Sequence, residues 1–122
     1  MKRACVLIRD EPVYRKGAFV AGLAKVGYQS SAAILADPKP EDLLLVWNLY
    51  GAAYREAMRF EAAGAKVIIA ENGYFGRDAA GMQRYALALS GHNGSGRWPD
   101  GGPERWDAMG VALAPWRATG GH

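Results

Sequence analysis

Most of the side chains that could do chemistry in this chain come at the ends of apolar runs. Three such runs, 3–9, 42–47 and 66–70, end in or are followed by charged, amide or phenolic residues. These residues are Arg9, Asp10 and Glu11 after the first run, Asn48 and Tyr50 after the second, and Glu71, Asn72 and Tyr74 after the third. Because ligands of open parallel sheets bind beyond the carboxyl ends of the strands, this set predicts one polar crevice that holds a ligand.

Two residues are the candidates for proton transfer. Glu71 offers a carboxylate at the predicted crevice, and His92 is one of only two histidines in the chain. An imidazole titrates near neutral pH and can serve as a general base. An ordinary structural role is open for both, since Glu71 can be a solvated charge and His92 a hydrogen-bonded loop residue. A structural role is open at the other positions too. Asp10 and Glu11 can stabilise the N-terminal end of the next helix through its dipole, and Asn48 can form a turn.

His92 belongs to a glycine-rich stretch that has some features of a phosphate-binding loop. The stretch SGHNGSGRWP (90–99) contains three glycines, Asn93 and Arg97, so backbone N–H groups and one guanidinium could approach a phosphate. It is not a Walker A loop, because no Gly-Lys-Ser/Thr follows. It is not a dinucleotide-binding fingerprint either, because it does not lie between the first strand and helix. We therefore expect Asn93 and Arg97 to contribute to ligand binding without a defined motif.

Composition excludes several classes of site and of protein. One cysteine and two distant histidines give no metal-ligand spacing, so no metal site is predicted. The lone Cys5 lies in an apolar run and is expected to be buried. The net charge of +3 favours an anionic ligand or partner. Only five apolar residues precede Arg9, too few for a signal peptide, and no run approaches a membrane span, so we expect a cytoplasmic protein with no membrane partner.

The elements that must position these residues alternate between strand and helix. The runs 3–9, 42–47 and 66–70 have the continuous apolar character of strands buried on both faces, and a further short strand is predicted near 28–34. Apolar residues at helical spacing predict helices over 14–27 and 50–63, which glycines at 27 and 64 would end. Strand, helix and strand in this order with short connections are typical of parallel βαβ units.

The last fifty residues differ in character from the rest. Eleven of the sixteen glycines fall at or after residue 73. Short strands are predicted over 85–89 and 111–113 and a short helix over 103–109, and Trp98, Trp106 and Trp116 supply aromatic bulk or stacking surfaces. The sequence thus predicts a single α/β domain, a three-layer Rossmann-like fold with a mostly parallel sheet. Residues 1–72 form its regular βαβ core and 73–122 a loop-rich, glycine-rich irregular extension.

Five segments share a pattern with one known family. They are RKGAFVAGL (15–23), DLLLVWN (42–48), VIIAENGY (67–74), LSGHNGSG (89–96) and RWPDGGPERW (97–106). In these segments the chain resembles the N-terminal half of glycosyltransferase-like proteins of bacteria and their phages, of the two-domain GT-B type. The resemblance implies two facing Rossmann-like halves, with the sugar-nucleotide donor mainly in the C-terminal half, and on this resemblance we expect the donor-binding half to be missing. We therefore expect no catalysis by the isolated chain unless another chain completes the site.

Two functions from different classes follow from these observations. The first is a small, phage-related binding module, derived from such a half-domain, that holds an anionic ligand, a nucleic acid or a host nucleoprotein and can act as an inhibitor. The second is a glycosyltransferase or nucleotide-sugar enzyme that needs a second chain, for example as a homodimer, to complete its site. A nucleotide or nucleotide sugar is the expected small molecule in either case. An assembly subunit with no ligand is the third possibility.

Overall fold

A computed structural model describes residues 2–31 and 33–91 of the chain. The elements in chain order are β1 (Lys2–Leu7), a 3-10 turn (Pro12–Tyr14), α1 (Lys16–Lys25), β2 (Tyr28–Ser31), β3 (Leu43–Trp47), α2 (Ala52–Ala62), β4 (Lys66–Arg77) and β5 (Gln83–Leu89). The predicted elements up to β3 and α2 are confirmed within a few residues at each end. The strand predicted over 85–89 is confirmed as β5, whereas the predicted helix 103–109 and strand 111–113 lie outside the described residues.

The five strands form one sheet in the order β2-β1-β3-β4-β5. β1 pairs in parallel with β2 and β3, and β3 pairs in parallel with β4. Among the strands of the described residues, β5 runs antiparallel, beside β4. The structure thus confirms a mixed α/β fold with a mostly parallel sheet, an arrangement compatible with a Rossmann-like domain.

The two helices cover opposite faces of this sheet. Phe19 and Leu23 of α1 pack in one cluster with alternate residues of β1 and β3, among them Val6 and Leu45. On the other face, Ala57 and Phe60 of α2 pack against the intervening residues, which are Cys5, Leu44, Val46, Val67 and Ile69. Because both faces of the central strands are covered, each strand must be apolar at consecutive positions. That requirement explains the continuous apolar runs of the sequence.

Both helices end where the sequence predicted. Gly27 and Gly64 follow α1 and α2 with φ angles of 92° and 79°. An L-residue with a side chain is strained in this left-handed region, whereas glycine is not, so each glycine ends its helix without a steric penalty.

An ion pair ties the sheet together at the edge where the parallel strands begin, here called the amino edge. Asp42, whose side chain is 1% exposed, accepts hydrogen bonds from Arg3 Nε at 3.1 Å, Arg3 Nη2 at 2.6 Å and the Lys39 N–H at 2.7 Å. Arg3 lies in β1 and Asp42 directly precedes β3, so the pair fixes two neighbouring strands. Burial alone would raise the pKa of Asp42, but the hydrogen bonds from Arg3 and Lys39 outweigh it and leave that pKa below its usual value.

The strand predicted over 66–70 is longer in the structure. The sequence placed the end of this strand at residue 70, before Glu71-Asn72-Gly73, and this expectation was wrong, because β4 continues to Arg77 and pairs with β5. A Cβ at position 73 would lie 3.1 Å from Arg84 O and 3.2 Å from the Tyr85 carbonyl carbon. Gly73 therefore permits a close approach of two backbones within the sheet. The regular part of the fold accordingly extends past the predicted boundary at residue 72 to Leu89.

Candidate functional site

The strand order creates a crevice at the edge opposite Asp42, here called the carboxyl edge. From β1 the chain returns through α1 to β2 on one side, and from β3 it returns through α2 to β4 on the other. The two connections leave the neighbouring strands β1 and β3 in opposite directions and over opposite faces of the sheet. A gap opens at such a switch point, and this is where ligands of open α/β sheets bind. The residues after β1 and β3 are thus the best-placed part of the predicted site.

The segment after β1 carries the charged residues of this crevice. Arg9, Asp10 and Glu11 are all exposed, and Glu11 leads into the 3-10 turn that precedes α1. Within that turn Tyr14 packs edge-to-face on Trp47 at the end of β3, with ring centroids 5.1 Å apart. This aromatic contact joins the loop after β1 to the end of β3. The structure therefore brings the first two predicted groups of site residues to one edge, as the sequence indicated.

The segment after β3 turns sharply into α2. Asn48 adopts a left-handed backbone with φ of 61°, and its N–H donates to the Ala70 carbonyl at 2.9 Å. Asparagine tolerates this conformation better than most residues, which suits Asn48 to the bend between β3 and α2. Tyr50 follows with 72% of its surface exposed. Tyr50 directly precedes Gly51, the N-cap of α2, so its backbone lies at the carboxyl edge.

Both helices begin at this edge without a negative charge at their N-termini. Arg15 is the N-cap of α1 and Gly51 the N-cap of α2, neither provides a side-chain cap, and neither first turn contains an acidic residue. The predicted dipole role of Asp10 and Glu11 is thus not realised within the first turn of α1. The first N–H groups of a helix lack partners in the helix and carry partial positive charge. Two such ends beside one crevice favour an anion there.

Arg15 and Asp78 form a contact that sequence analysis missed. The Arg15 guanidinium donates to Asp78 Oδ2 at 2.9 Å and lies 5.6 Å from the centre of the Tyr85 ring. Tyr85 also packs against Phe19 of α1, with ring centroids 5.0 Å apart. These contacts fasten the β4–β5 hairpin to the start of α1, and hydrogen bonding from Arg15 is the main cause that lowers the pKa of Asp78. Arg15 and Asp78 are 63 residues apart in sequence. The sequence Asp78-Ala-Ala-Gly81 indicates the turn of the hairpin, but it does not indicate the contact with Arg15.

The third group of predicted site residues lies within β4 and not beyond its end. Trp47 pairs with Ala70, so Glu71 lies level with Asn48 at the carboxyl edge. Strand alternation places Glu71 on the α2 face, as a neighbour of buried Ile69, and Asn72 on the α1 face with Tyr85. The side chain of Tyr74 is outside the described part of the structure. Glu71 and Asn72 therefore border the crevice, but on different faces of the sheet.

The predicted loop residues His92, Asn93 and Arg97 lie outside the described residues. The last residues before them are Ser90 and Gly91, and the Ser90 N–H donates to the Val67 carbonyl at 2.8 Å. Val67 stands at the start of β4, so the antiparallel β5 ends at the amino edge. A role of Glu71 and His92 in proton transfer therefore stays a prediction.

Other kinds of site find no support in residues 2–31 and 33–91. No group of three or more His, Cys, Asp or Glu in this region could hold a metal ion. Burial raises the pKa of the Cys5 thiol, which disfavours the reactive thiolate. Among the described helices, none is long and apolar enough to cross a membrane.

Comparison with known proteins adds no family to these observations. No protein-family model matches the chain, and no curated protein matches it. The resemblance to glycosyltransferase-like proteins therefore stays an expectation, and the geometry of the carboxyl edge is the basis for a functional proposal.

Proposed function

We propose that this chain is a small binding module for an anionic, phosphate-bearing ligand, held at the carboxyl edge between β1 and β3. The observation that carries the proposal is the convergence of two helix N-termini, both without an acidic first turn, on the switch point of the sheet. Phosphate oxygens can accept hydrogen bonds from backbone N–H groups at such ends while the helix dipoles favour their charge.

Two cationic side chains beside the crevice can contact a bound anion. Arg9 is exposed two residues after the end of β1, and Lys16 opens α1 immediately after the N-cap. A lysine in the first turn is unfavourable next to the dipole of its own helix, and a bound anion would offset this repulsion. Asp10 and Glu11 stand close by in sequence and can accept hydrogen bonds from hydroxyl groups of the same ligand. A nucleotide, which combines phosphate, sugar hydroxyls and an aromatic base, matches these groups and the exposed ring of Tyr50.

Binding of a nucleoside monophosphate, measured by isothermal titration calorimetry, tests the proposal. We expect binding that weakens as salt is raised, because the contacts are ionic. Arg9→Gln should weaken binding about tenfold, the equivalent of one hydrogen bond to a charged group. Lys66→Gln is the matched control, since it removes the same charge from the exposed start of β4 at the amino edge. Equal effects of the two substitutions, or no binding at low salt, would overturn the proposal.

The enzyme hypothesis has one observation in its favour. Glu71 is level with Asn48 at the crevice, where a carboxylate could accept a proton from an acceptor hydroxyl. A sugar-nucleotide enzyme completed by a second chain would lose turnover in Glu71→Gln while retaining nucleotide affinity. Assay of sugar-nucleotide hydrolysis and transfer across a range of protein concentrations separates this second candidate from a binding module.

A further inference from the structure

The sheet ends on one side at β5, whose outer edge faces no further strand among the described residues. Its residues 85–89 pair regularly with β4, and they include no charged residue and no proline. A free row of backbone groups pairs readily with another strand, so edge strands of monomeric proteins are usually short, bent by a bulge, or protected by charge or proline. Over residues 85–89, β5 has none of these protections.

The opposite edge of the sheet, formed by β2, is better protected. β2 has only four residues, and the hydroxyl group of Ser31 at its end bonds with the backbone N–H and C=O of Ala33. Short edge strands offer few groups to a partner. Of the two edges, β5 is therefore the one that is suited to pair with another chain.

The backbone groups of three β5 residues point toward the free edge. The Ser90 N–H donates to the Val67 carbonyl at 2.8 Å, so Ser90 directs its backbone groups toward β4. Successive residues of a regular antiparallel strand alternate in this direction. Leu89, Leu87 and Tyr85 therefore direct both their N–H and their C=O groups away from β4, where a further strand can pair with them.

The same three residues carry the large apolar side chains of β5. Leu87 pairs with Ala70, which belongs to the cluster under α1, so Tyr85, Leu87 and Leu89 lie on the α1 side of the sheet. Tyr85 contacts Phe19 and is still 39% exposed, and Leu87 is 42% exposed. Side chains of a strand added beside β5 would cover part of this apolar surface.

We propose that β5 pairs with β5 of a second copy of this chain, antiparallel about a two-fold axis, so that two five-stranded sheets join into one. With the axis at Leu87, each Leu87 lies opposite its symmetry mate, and Tyr85 lies opposite Leu89 of the second copy. All the outward N–H and C=O groups of these three residues then have partners.

The charges along this register favour a second copy as the partner. A two-fold interface places the same surface on both sides, so that surface must be complementary to itself. Residues 85–89 are uncharged, and Arg84 lies opposite Ser90 of the second copy. No like charges therefore oppose each other along the paired strands. This pairing uses the edge of the sheet far from β1 and does not depend on the ligand proposed above.

Sedimentation equilibrium of the full chain over a range of concentrations tests the pairing. An interface of one strand pair is small, so we expect dimers that dissociate in the micromolar range. Leu87→Lys and Leu87→Glu each place two like charges directly opposite each other and should raise the dissociation constant at least about tenfold. An equimolar mixture of these two variants should associate again, because opposite charges then face each other across the axis.

Two matched controls introduce the same charge elsewhere. Met58→Lys changes a side chain of α2 that is 44% exposed, and Gln29→Lys changes an exposed residue of the β2 edge. Both should leave the dissociation constant unchanged. Isotope-filtered NMR on a mixture of labelled and unlabelled wild-type chains needs no variant, and it should show contacts between Tyr85 of one copy and Leu89 of the other.

Several results would overturn the inference. A chain that stays monomeric at millimolar concentration does so, and slow hydrogen exchange at residues 85, 87 and 89 of that monomer would show that the chain itself covers the edge. Equal weakening by Leu87→Lys and Met58→Lys, or a dimer lost in Gln29→Lys, also overturns it. If the two Leu87 variants are folded by circular dichroism yet fail to associate with each other, the two-fold register is wrong.

Discussion

Removing the charge of Asp42 should clearly lower the free energy of unfolding. Replacement by asparagine keeps the shape of the side chain and removes the negative charge that accepts three hydrogen bonds. Hydrogen bonds to a charged group contribute about 1 kcal/mol more than neutral ones, which gives about 3 kcal/mol for the three. The two bonds from Arg3 count for less, because its side chain is 44% exposed and water can solvate it. In Asp42→Asn, however, the NH2 group of the new side chain would face one of these N–H donors and could not accept its hydrogen bond. The loss of that bond offsets the smaller contribution of Arg3, so the expected loss of unfolding free energy is about 3 kcal/mol.

Urea unfolding followed by circular dichroism measures this loss. With a slope of about 1.5 kcal/mol per molar urea, Asp42→Asn should lower the midpoint at pH 7 by about 2 M. Asp37→Asn is the control in the same turn, since Asp37 is exposed and paired with Lys39, and it should leave the midpoint unchanged. A loss below about 1 kcal/mol in Asp42→Asn would refute the argument that the buried carboxylate stabilises the amino edge.

The pH dependence gives a second test of the same residue. Because the pKa of Asp42 in the folded chain lies below its usual value of about 3.9, its contribution is complete above that value and is lost as the pH falls through the folded pKa. The difference in unfolding free energy between wild type and Asp42→Asn should therefore be constant from pH 7 to pH 5 and shrink below about pH 4. A difference that stays constant down to pH 3 would contradict the assigned direction of the shift.

Two further substitutions test the packing of the sheet. Phe60→Ala should lower the free energy of unfolding by about 4 kcal/mol, since Phe60 is fully buried between α2 and the sheet, and a loss under 2 kcal/mol in urea unfolding would contradict this packing. Gly73→Ala should cost about 1–3 kcal/mol, because its Cβ would press on the backbone of Arg84 and Tyr85. Hydrogen exchange should quicken mainly in β4 and β5 of that variant, and unchanged exchange there would contradict the close approach.

The sequence predicted the parallel part of the fold because its signals are local. Strands buried on both faces must be apolar at consecutive positions, and residues 43–46 show this directly, with Leu43 and Leu45 on the α1 face and Leu44 and Val46 on the α2 face. The glycines after both helices were equally local signals. From these elements the sequence also placed Arg9 and Asn48 at the same edge, which the structure confirms.

The β4–β5 hairpin could not be predicted in the same way, because the contacts that form it join residues that are distant in sequence. Glu71, Asn72 and Gly73 have the composition of a turn, yet pairing with β5 holds them in a strand. The need for glycine at position 73 comes from a backbone that returns eleven residues later, at Arg84. Arg15 and Asp78 likewise lie 63 residues apart in sequence, so their contact depends on the tertiary fold, and no periodic pattern in the sequence indicates it.

Backbone amide shifts in a heteronuclear NMR titration with a nucleoside monophosphate test the central claim most directly. If the ligand binds at the carboxyl edge, the amides of residues 9–11, 15–18 and 48–53 should shift together in proportion to saturation. Amides at the amino edge, such as those of Arg3, Asp42 and Lys66, should not move. Shifts confined to the amino edge, or spread evenly over both edges, would contradict a binding site at the switch point between β1 and β3.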